Sequence, residues 1–227
     1  MSSRRPTRNT MCSNLIFALS LACTLGGQPI SVAYAQPVPQ IVHAPARGVF
    51  LVATKNLRDG NFSRTVVLLT DHSTVGSVGL IINRASNVSV ISIAPDLRSL
   101  ANVDATLHFG GPVSLHSVRI LVNSPVHISS SERLMKNLYF VNSIAVLRTL
   151  LQSDQAVASR AMRYYAGYAA WSPGQLQREI ANGDWKLIAA DVNTVFADDM
   201  ETIWPHIIEQ LEGTWVLLDN NPRISYP

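Results

Sequence analysis

FSRTVVLLTDHSTVGSVGLIINR, residues Phe62 to Arg84, sets two β-branched runs, TVVLLT (Thr65 to Thr70) and SVGLIIN (Ser77 to Asn83), on either side of the polar link DHSTVG. Two short apolar runs joined by polar and glycine residues predict an antiparallel hairpin. In each run the apolar residues are consecutive, not alternating. Both faces of the hairpin are therefore expected to be covered, by helices or by the other side of a curled sheet.

The neighbouring segments extend this pattern. GVFLVAT (Gly48 to Thr54) predicts a strand before the hairpin, linked to it by the polar LRDGNFSR. Downstream, DATLHF and SVRILVN read as strands around Gly110-Gly111-Pro112, followed by LYFV, MRYYAGYA and WKLIA. Val90 to Leu100 reads as a short helix interrupted at Pro95, and IAVLRTLL as a helix capped by Asn142 or Ser143. Ser172-Pro173-Gly174-Gln175 predicts a helix start, with Ser172 as cap, Pro173 in the first turn and Gln175 completing a capping box. Gly183 is its expected stop. A final helix is expected from Asp198 to Glu212, with Pro205 as a kink or as its first turn, closed by Gly213. Strands and helices mix without regular βαβ alternation, which predicts a single α+β domain with a mixed, curved sheet.

The N-terminal region reads differently. Met1 to Ala35 carries Arg4, Arg5 and Arg8 without an acid, then the apolar stretch LIFALSLACTL, then Ala33-Tyr34-Ala35. A basic segment, an apolar core shorter than the roughly 20 residues of a membrane span and an A-x-A site predict a secretory signal peptide cleaved after Ala35. The expected organisation is a leader over 1–35, a proline-rich linker over 36–47, the folded domain over 48–213 and a tail over 214–227. The expected location is periplasmic or secreted, with no membrane span in the mature chain. Two alternatives stay open: lipidation at Cys23, which would tether the protein to a membrane, and initiation at Met11.

The leader also accounts for the charge. The whole chain has 18 basic and 15 acidic residues, and removal of the leader leaves 15 of each. A formally neutral chain without a basic run is a poor match for nucleic acid. Cys12 and Cys23 both fall in the leader, so the mature protein is expected to have no disulfide, thiol nucleophile or thiolate ligand.

For chemistry, Asp71-His72 is the obvious acid and base pair, but adjacent strand residues point to opposite faces, so a turn-stabilising role is favoured. Arg64 with Asp59 could grip an anion, and Asn83-Arg84 at a strand end could do the same; both sets could equally tie a loop to the sheet. Gly110-Gly111 could offer backbone N–H groups to an anion or simply turn the chain. Trp171 and Trp185 are expected to be core rather than a ligand wall. The histidines at 43, 72, 108, 116, 127 and 206 show no metal-ligand spacing. No nucleophile elbow, phosphate loop or dinucleotide fingerprint occurs. The residues call for no catalytic group, metal or cofactor; Asp59, Arg64, His72, Asn83, Arg84, Gly110 and Gly111 are the candidate contacts to a small ligand or a protein. A hydrolase-like site around His72, Arg64 and Asp59 is the alternative.

Three segments in order, GVFLVATKNLRDGNFSRTVVLLTDHSTVGSVGLIINR, FGGPV and GYAAWSPGQLQREIANGDW, together resemble the YqgE/AlgH family of bacterial proteins over roughly Gly48 to Gly213. The resemblance implies an open, barrel-like sheet flanked by helices, and a regulatory label without a DNA-binding motif. Carried over by position, it marks Asp59, Arg64, His72, Asn83, Arg84, Gln175 and Glu179, with Gly76, Gly79, Gly110, Gly111, Gly167 and Gly174. Ala85 and Gln177 depart from the family pattern, and an export signal is unusual in it.

Overall fold

The computed structural model describes residues 39–101, 105–153 and 160–219. The expected leader, most of the tail and the first residues of the linker lie outside them. A curled, half-barrel-like sheet flanked by helices forms a single α+β domain.

The sheet begins with β1 (Val49–Ala53), β2 (Val66–Ser73) and β3 (Gly76–Ile81), and all five residues of β1 are buried, as consecutive apolar residues require. β2 and β3 form the predicted hairpin, with Ser73 opposite Gly76. The link is shorter than the sequence suggested: Asp71 and His72 belong to β2, opposite Val78 and Ser77, past a bulge between Leu69 and Asp71. Next come β4 (Ala85–Ser89), α1 (Leu97–Ala101), β5 (Thr106–Phe109), β6 (Val113–Asn123), β7 (Glu132–Met135) and β8 (Leu138–Val141). Then follow α2 (Ile144–Ser153), β9 (Ala161–Trp171), α3 (Gln175–Ala181), β10 (Trp185–Ala189), α4 (Val192–Val195) and α5 (Ile203–Asp219).

Strand order is β10-β1-β2-β3-β9-β6-β8-β7, with the β4–β5 pair joined through β5 to β9. Pairing is antiparallel except for β5 with β9, which makes the sheet mixed. One core cluster unites Phe50 and Ile188 from one end of this order with Leu134, Leu138 and Phe140 from the other. Strands that far apart in a sheet share a core only when the sheet curls, so this is the inner face. Helix α5 closes it with Ile203, Trp204, Ile207, Ile208 and Leu211, an i, i+4, i+8 stripe. Trp204 Nε1 also donates to Ala53 O at 2.7 Å. Arg47 ties the curl at the surface, 3.2 Å from Asp71 on β2 and 3.1 Å from Glu132 on β7.

The outer face carries two clusters, one under α1 and α2 (Leu97, Leu107, Ile120, Leu147, Tyr164) and one under α3 (Leu51, Val67, Ile81, Trp171, Leu176). Strand β9 contributes to both. Tyr164 and Ala166 face outward before Gly167, and Ala169 and Trp171 after it, so Gly167, at φ 69°, reverses the side-chain alternation. There the backbone of Gly110-Gly111 crosses β9: a Cβ on Gly111 would lie 2.2 Å from Tyr168 C, and one on Gly167 would lie 2.4 Å from Gly111 O. Only glycine permits that approach.

Several expectations need correction. Helix α3 starts at Gln175, with Gly174 as its cap at φ 72°; the Ser172 side chain does not cap it. Half of the capping box survives, since Gln175 Oε1 accepts from Ser172 N at 3.0 Å. Pro205 lies in the first turn of α5, and the helix runs through Gly213 to Asp219. One interior glycine costs about 1 kcal/mol, too little to stop a helix whose sequence continues with Trp215, Val216, Leu217 and Leu218. Within the expected linker, Ile41 bridges Ile188, Val42 N donates to Leu187 O and Ala189 N donates to Gln40 O. This short segment covers the edge of β10, which would otherwise present unpaired backbone groups. Strands β4 and β7 and helix α4 have no counterpart in the sequence reading.

Candidate functional site

The expected candidates fall in three separate places. At the hairpin end, His72 Nδ1 lies 2.7 Å from Ser77 Oγ, its opposite neighbour on β3. Ser77 is only 3% exposed, and Asp71 is turned away onto Arg47. A buried serine with no carboxylate behind the histidine has neither access nor orientation for nucleophilic attack. The pair is a cross-strand clasp, so the expectation that Asp71 and His72 bond the turn itself is replaced.

The second place is the start of β2, six residues of strand from His72, or roughly 20 Å. Here Asp59 Oδ1 accepts from Asn61 N at 2.7 Å and Phe62 N at 3.1 Å, folding the LRDGNFSR loop onto itself. Asn83 bridges strands, its Oδ1 accepting from Val66 N at 2.8 Å and its Nδ2 donating to Arg64 O at 3.0 Å. Arg64, at φ 58°, sets its guanidinium 5.0 Å from the Trp204 ring centre. Arg84 donates to Ser63 O at 3.3 Å and lies over Phe109. Burial holds its guanidinium below the ordinary value, opposed by the Asp59 charge. Asn83 and Arg84 line a shallow pocket of about 390 Å³ with Ala85, Phe109, Met200 and Glu201. Asp59, Arg64, Asn83 and Arg84 thus gather at one end of the sheet; His72 does not join them.

Gly110-Gly111 is the third place. Gly110 N donates to Ala166 O at 2.8 Å and Gly110 O accepts from Ile81 N at 2.9 Å, so this peptide is spent on the strand crossing.

The residues expected around α3 close a polar hub. Glu179 Oε2 accepts from Trp171 Nε1 at 2.8 Å and Trp185 Nε1 at 2.9 Å, and its Oε1 accepts from Gln175 Nε2 at 2.9 Å. Phe62 packs against both indoles at 5.9 Å. Both tryptophans are core, as expected, and every polar atom of the hub is partnered.

The larger concavity was not foreseen. A groove of about 730 Å³ runs beneath the N-terminus of α2, between β4, β5 and β6. Val88, Ile93 and Leu115 line it, each about half exposed, with Val118, Ile144 and Ala166 as its floor. Arg119, Arg148 and His116 border it without an acidic residue. Arg148 is held by Asp96 through two bonds, at 2.5 and 2.9 Å. Leu115 and His116 fall where β6 leaves the β9 ladder, between Val113 and Val118. Three large apolar side chains exposed together around one concavity are the mark of a binding surface. The sequence signal was weak: Leu115-His116 and Val88 sit in polar surroundings that resemble loops.

Among the described residues no cluster of three His, Cys, Asp or Glu could hold a metal ion, and no helix is long and apolar enough to cross a membrane.

This geometry defines a curled-sheet α+β domain with an apolar outer groove; among the described residues, the candidates Asp71, His72 and Ser77 do not assemble into a nucleophile, base and acid. The AlgH-like family model matches residues 50–216, and the chain belongs to that family. It is 33% identical over 179 residues to a UPF0301 protein of Chlorobium luteolum, covering 79% of this chain and 93% of that one. A UPF0301 protein of Streptomyces coelicolor is 34% identical over 177 residues, covering 77% and 91%. The crystal structure of a Corynebacterium diphtheriae protein aligns with a TM-score of 0.64 at 30% identity, over 74% of this chain and 88% of that one. The solution structure of the AlgH protein from Pseudomonas aeruginosa aligns at 0.60 over 81% and 99%; at 24% identity this likeness concerns the fold.

Proposed function

We propose that this is an exported, non-catalytic binding protein that takes a small apolar ligand or an apolar segment of a partner in the groove beneath α2, in an envelope-related or regulatory role. The observation that carries the reading is the half-exposed trio Val88, Ile93 and Leu115 around a concavity of about 730 Å³, a size suited to a small molecule. Export rests on the leader Met1 to Ala35, whose cleavage would leave Gln36 as the mature N-terminus.

Protein purified from its native cell tests both parts. N-terminal sequencing should begin at Gln36; an intact Met1 would remove the export claim. Native mass spectrometry should show a retained ligand or partner, and Leu115→Asp, which places a charge on the exposed groove wall, should release it. Turnover of ester or amide substrates that disappears in His72→Ala would overturn the non-catalytic part and restore the hydrolase alternative.

A further inference from the structure

The groove beneath α2 is one-sided in charge as well as apolar. Val88, Ile93 and Leu115 keep about half of their surface in solvent, and the charged side chains that line it, Arg119 and Arg148, are both cations. Among the described residues no aspartate or glutamate lines it. The two arginines differ in what they have left to offer. Arg148 is already neutralised, because its Nε and Nη2 engage the two carboxylate oxygens of Asp96 at 2.5 and 2.9 Å. Arg119, half-buried on β6, has no such counterpart: among the described residues no carboxylate lies within 4 Å of it. Its Nη1 donates to Asn142 O at 2.6 Å and its Cζ lies 4.9 Å from the Tyr168 ring centre, so the side chain is held in place while its charge stays unpaired.

The exposed His116 stands beside Leu115 on the stretch where β6 leaves the β9 ladder, so one strand brings an apolar wall and basic groups to the same concavity. His108 also lines the groove, but burial lowers its pKa to about 4 and it adds no charge at neutral pH. A purely apolar ligand would cover the walls and leave Arg119 without a counter-charge, and a cationic one would meet two arginines. A carboxylate on an apolar chain matches both, since a guanidinium fork accepts that group with charge-assisted hydrogen bonds. About 730 Å³ is the size of a site for one small molecule, which suits a single alkyl chain with its head better than a lipid with two chains.

We propose that the groove takes a free, single-chain fatty acid of medium length, its alkyl chain along Val88, Ile93 and Leu115 and its carboxylate at Arg119 and His116. This rests on the groove being the ligand site argued above and names the class of ligand.

Decanoate is the probe, with decanol and decyltrimethylammonium as the same chain on a neutral and a cationic head. Protein purified from its native cell and freed of retained ligand is titrated calorimetrically with each, below micelle-forming concentrations. Decanoate should bind roughly tenfold more tightly than decanol, and decyltrimethylammonium most weakly. Arg119→Gln should weaken decanoate roughly tenfold and leave decanol unchanged, whereas Leu115→Asp should weaken both. If Arg119→Gln does not fold, His116→Ala, which removes only an exposed side chain, carries the test and should narrow the preference roughly threefold. Equal affinities for decanoate and decanol, both lost in Leu115→Asp, overturn the fatty-acid assignment and leave the groove as an apolar site. A decanoate preference untouched by the substitutions at 119 and 116 overturns it as well. Binding of none of the three, or binding that Leu115→Asp leaves intact, removes the groove reading itself and this proposal with it.

Discussion

The outer face of the sheet ends in two different ways. Beneath α3 it is sealed: Trp171 and Trp185 both donate to one Glu179 oxygen, Gln175 holds the other, and Phe62 fills the space between the indoles. Beneath α2 it is open, with Val88, Ile93 and Leu115 left half in solvent around the groove. The sealed end contains Trp171, Gln175 and Glu179 from one of the three segments that resemble the family, whereas the exposed walls of the open end, Val88, Ile93 and Leu115, lie outside all three. A strongly patterned motif can therefore specify scaffold, and the concavity available for binding can lie in its least patterned neighbours.

The largest effects are expected at the sealed end. Trp171→Ala removes a buried indole that also hydrogen-bonds Glu179, and should cost about 3–5 kcal/mol by denaturant unfolding. Glu179→Ala leaves two indole N–H groups and one amide without an acceptor, and should cost about 3 kcal/mol. If both variants unfold like wild type, the sealed end is not the scaffold and the comparison fails.

The strand crossing between the two ends supplies a pH test. His108 titrates at about 4 when folded, against an ordinary 6.5, because it is buried, with Arg163 as a second cause. Below pH 6.5 the unfolded chain takes up a proton that the folded chain refuses until about pH 4. The contribution of neutral His108 is therefore fully present above pH 6.5 and lost as pH falls towards 4, by about 3 kcal/mol. His108→Gln should flatten the stability profile in that window. A wild-type profile with the same slope as the variant would mean that the imidazole is not held neutral.

A smaller loss is expected where the sequence reading placed ligand contacts. Asn83→Ala frees the buried Val66 N–H and the Arg64 carbonyl, and should destabilise by about 1–3 kcal/mol. Loss of bound ligand at unchanged stability would instead make Asn83 a contact residue and return the pocket beside Arg84 to consideration.

The sheet was legible because its strands are written as short runs of consecutive, largely apolar residues: Val49 to Ala53, Thr65 to Thr70 and Leu138 to Val141 could be read without partners. Strand β4 could not, since Ser86, Asn87 and Ser89 have the composition of a loop and pair only because β5 offers an edge. The continuation of α5 past Gly213 was hidden for a related reason: one glycine is a strong local signal but a small cost in a long helix. At the site, the opposite faces of Asp71 and His72 were legible from strand alternation, but the partners each would meet were not. Asp71 and His72 look like a dyad in one dimension, yet alternation sends one to Arg47 and the other to Ser77. The groove is a product of strand order, joining segments about 60 residues apart, from Ser86 to Arg148, and no local pattern announces it.

The smallest effect on folding should come from the groove walls, and that smallness makes them informative. Leu115 is 50% exposed and Ile93 49%, so each has already kept much of its apolar area in water. Replacing either by serine gives up about half a side chain's burial and should change stability by only about 1 kcal/mol. A partner or ligand seated in the groove would bury that remaining area, so the same substitutions should weaken binding by a larger factor than they change folding. Measured together, unfolding and ligand retention in Leu115→Ser and Ile93→Ser separate the two roles. A loss of several kcal/mol in folding would mean that these side chains complete the core beneath α2, and the open end would then be as structural as the sealed one.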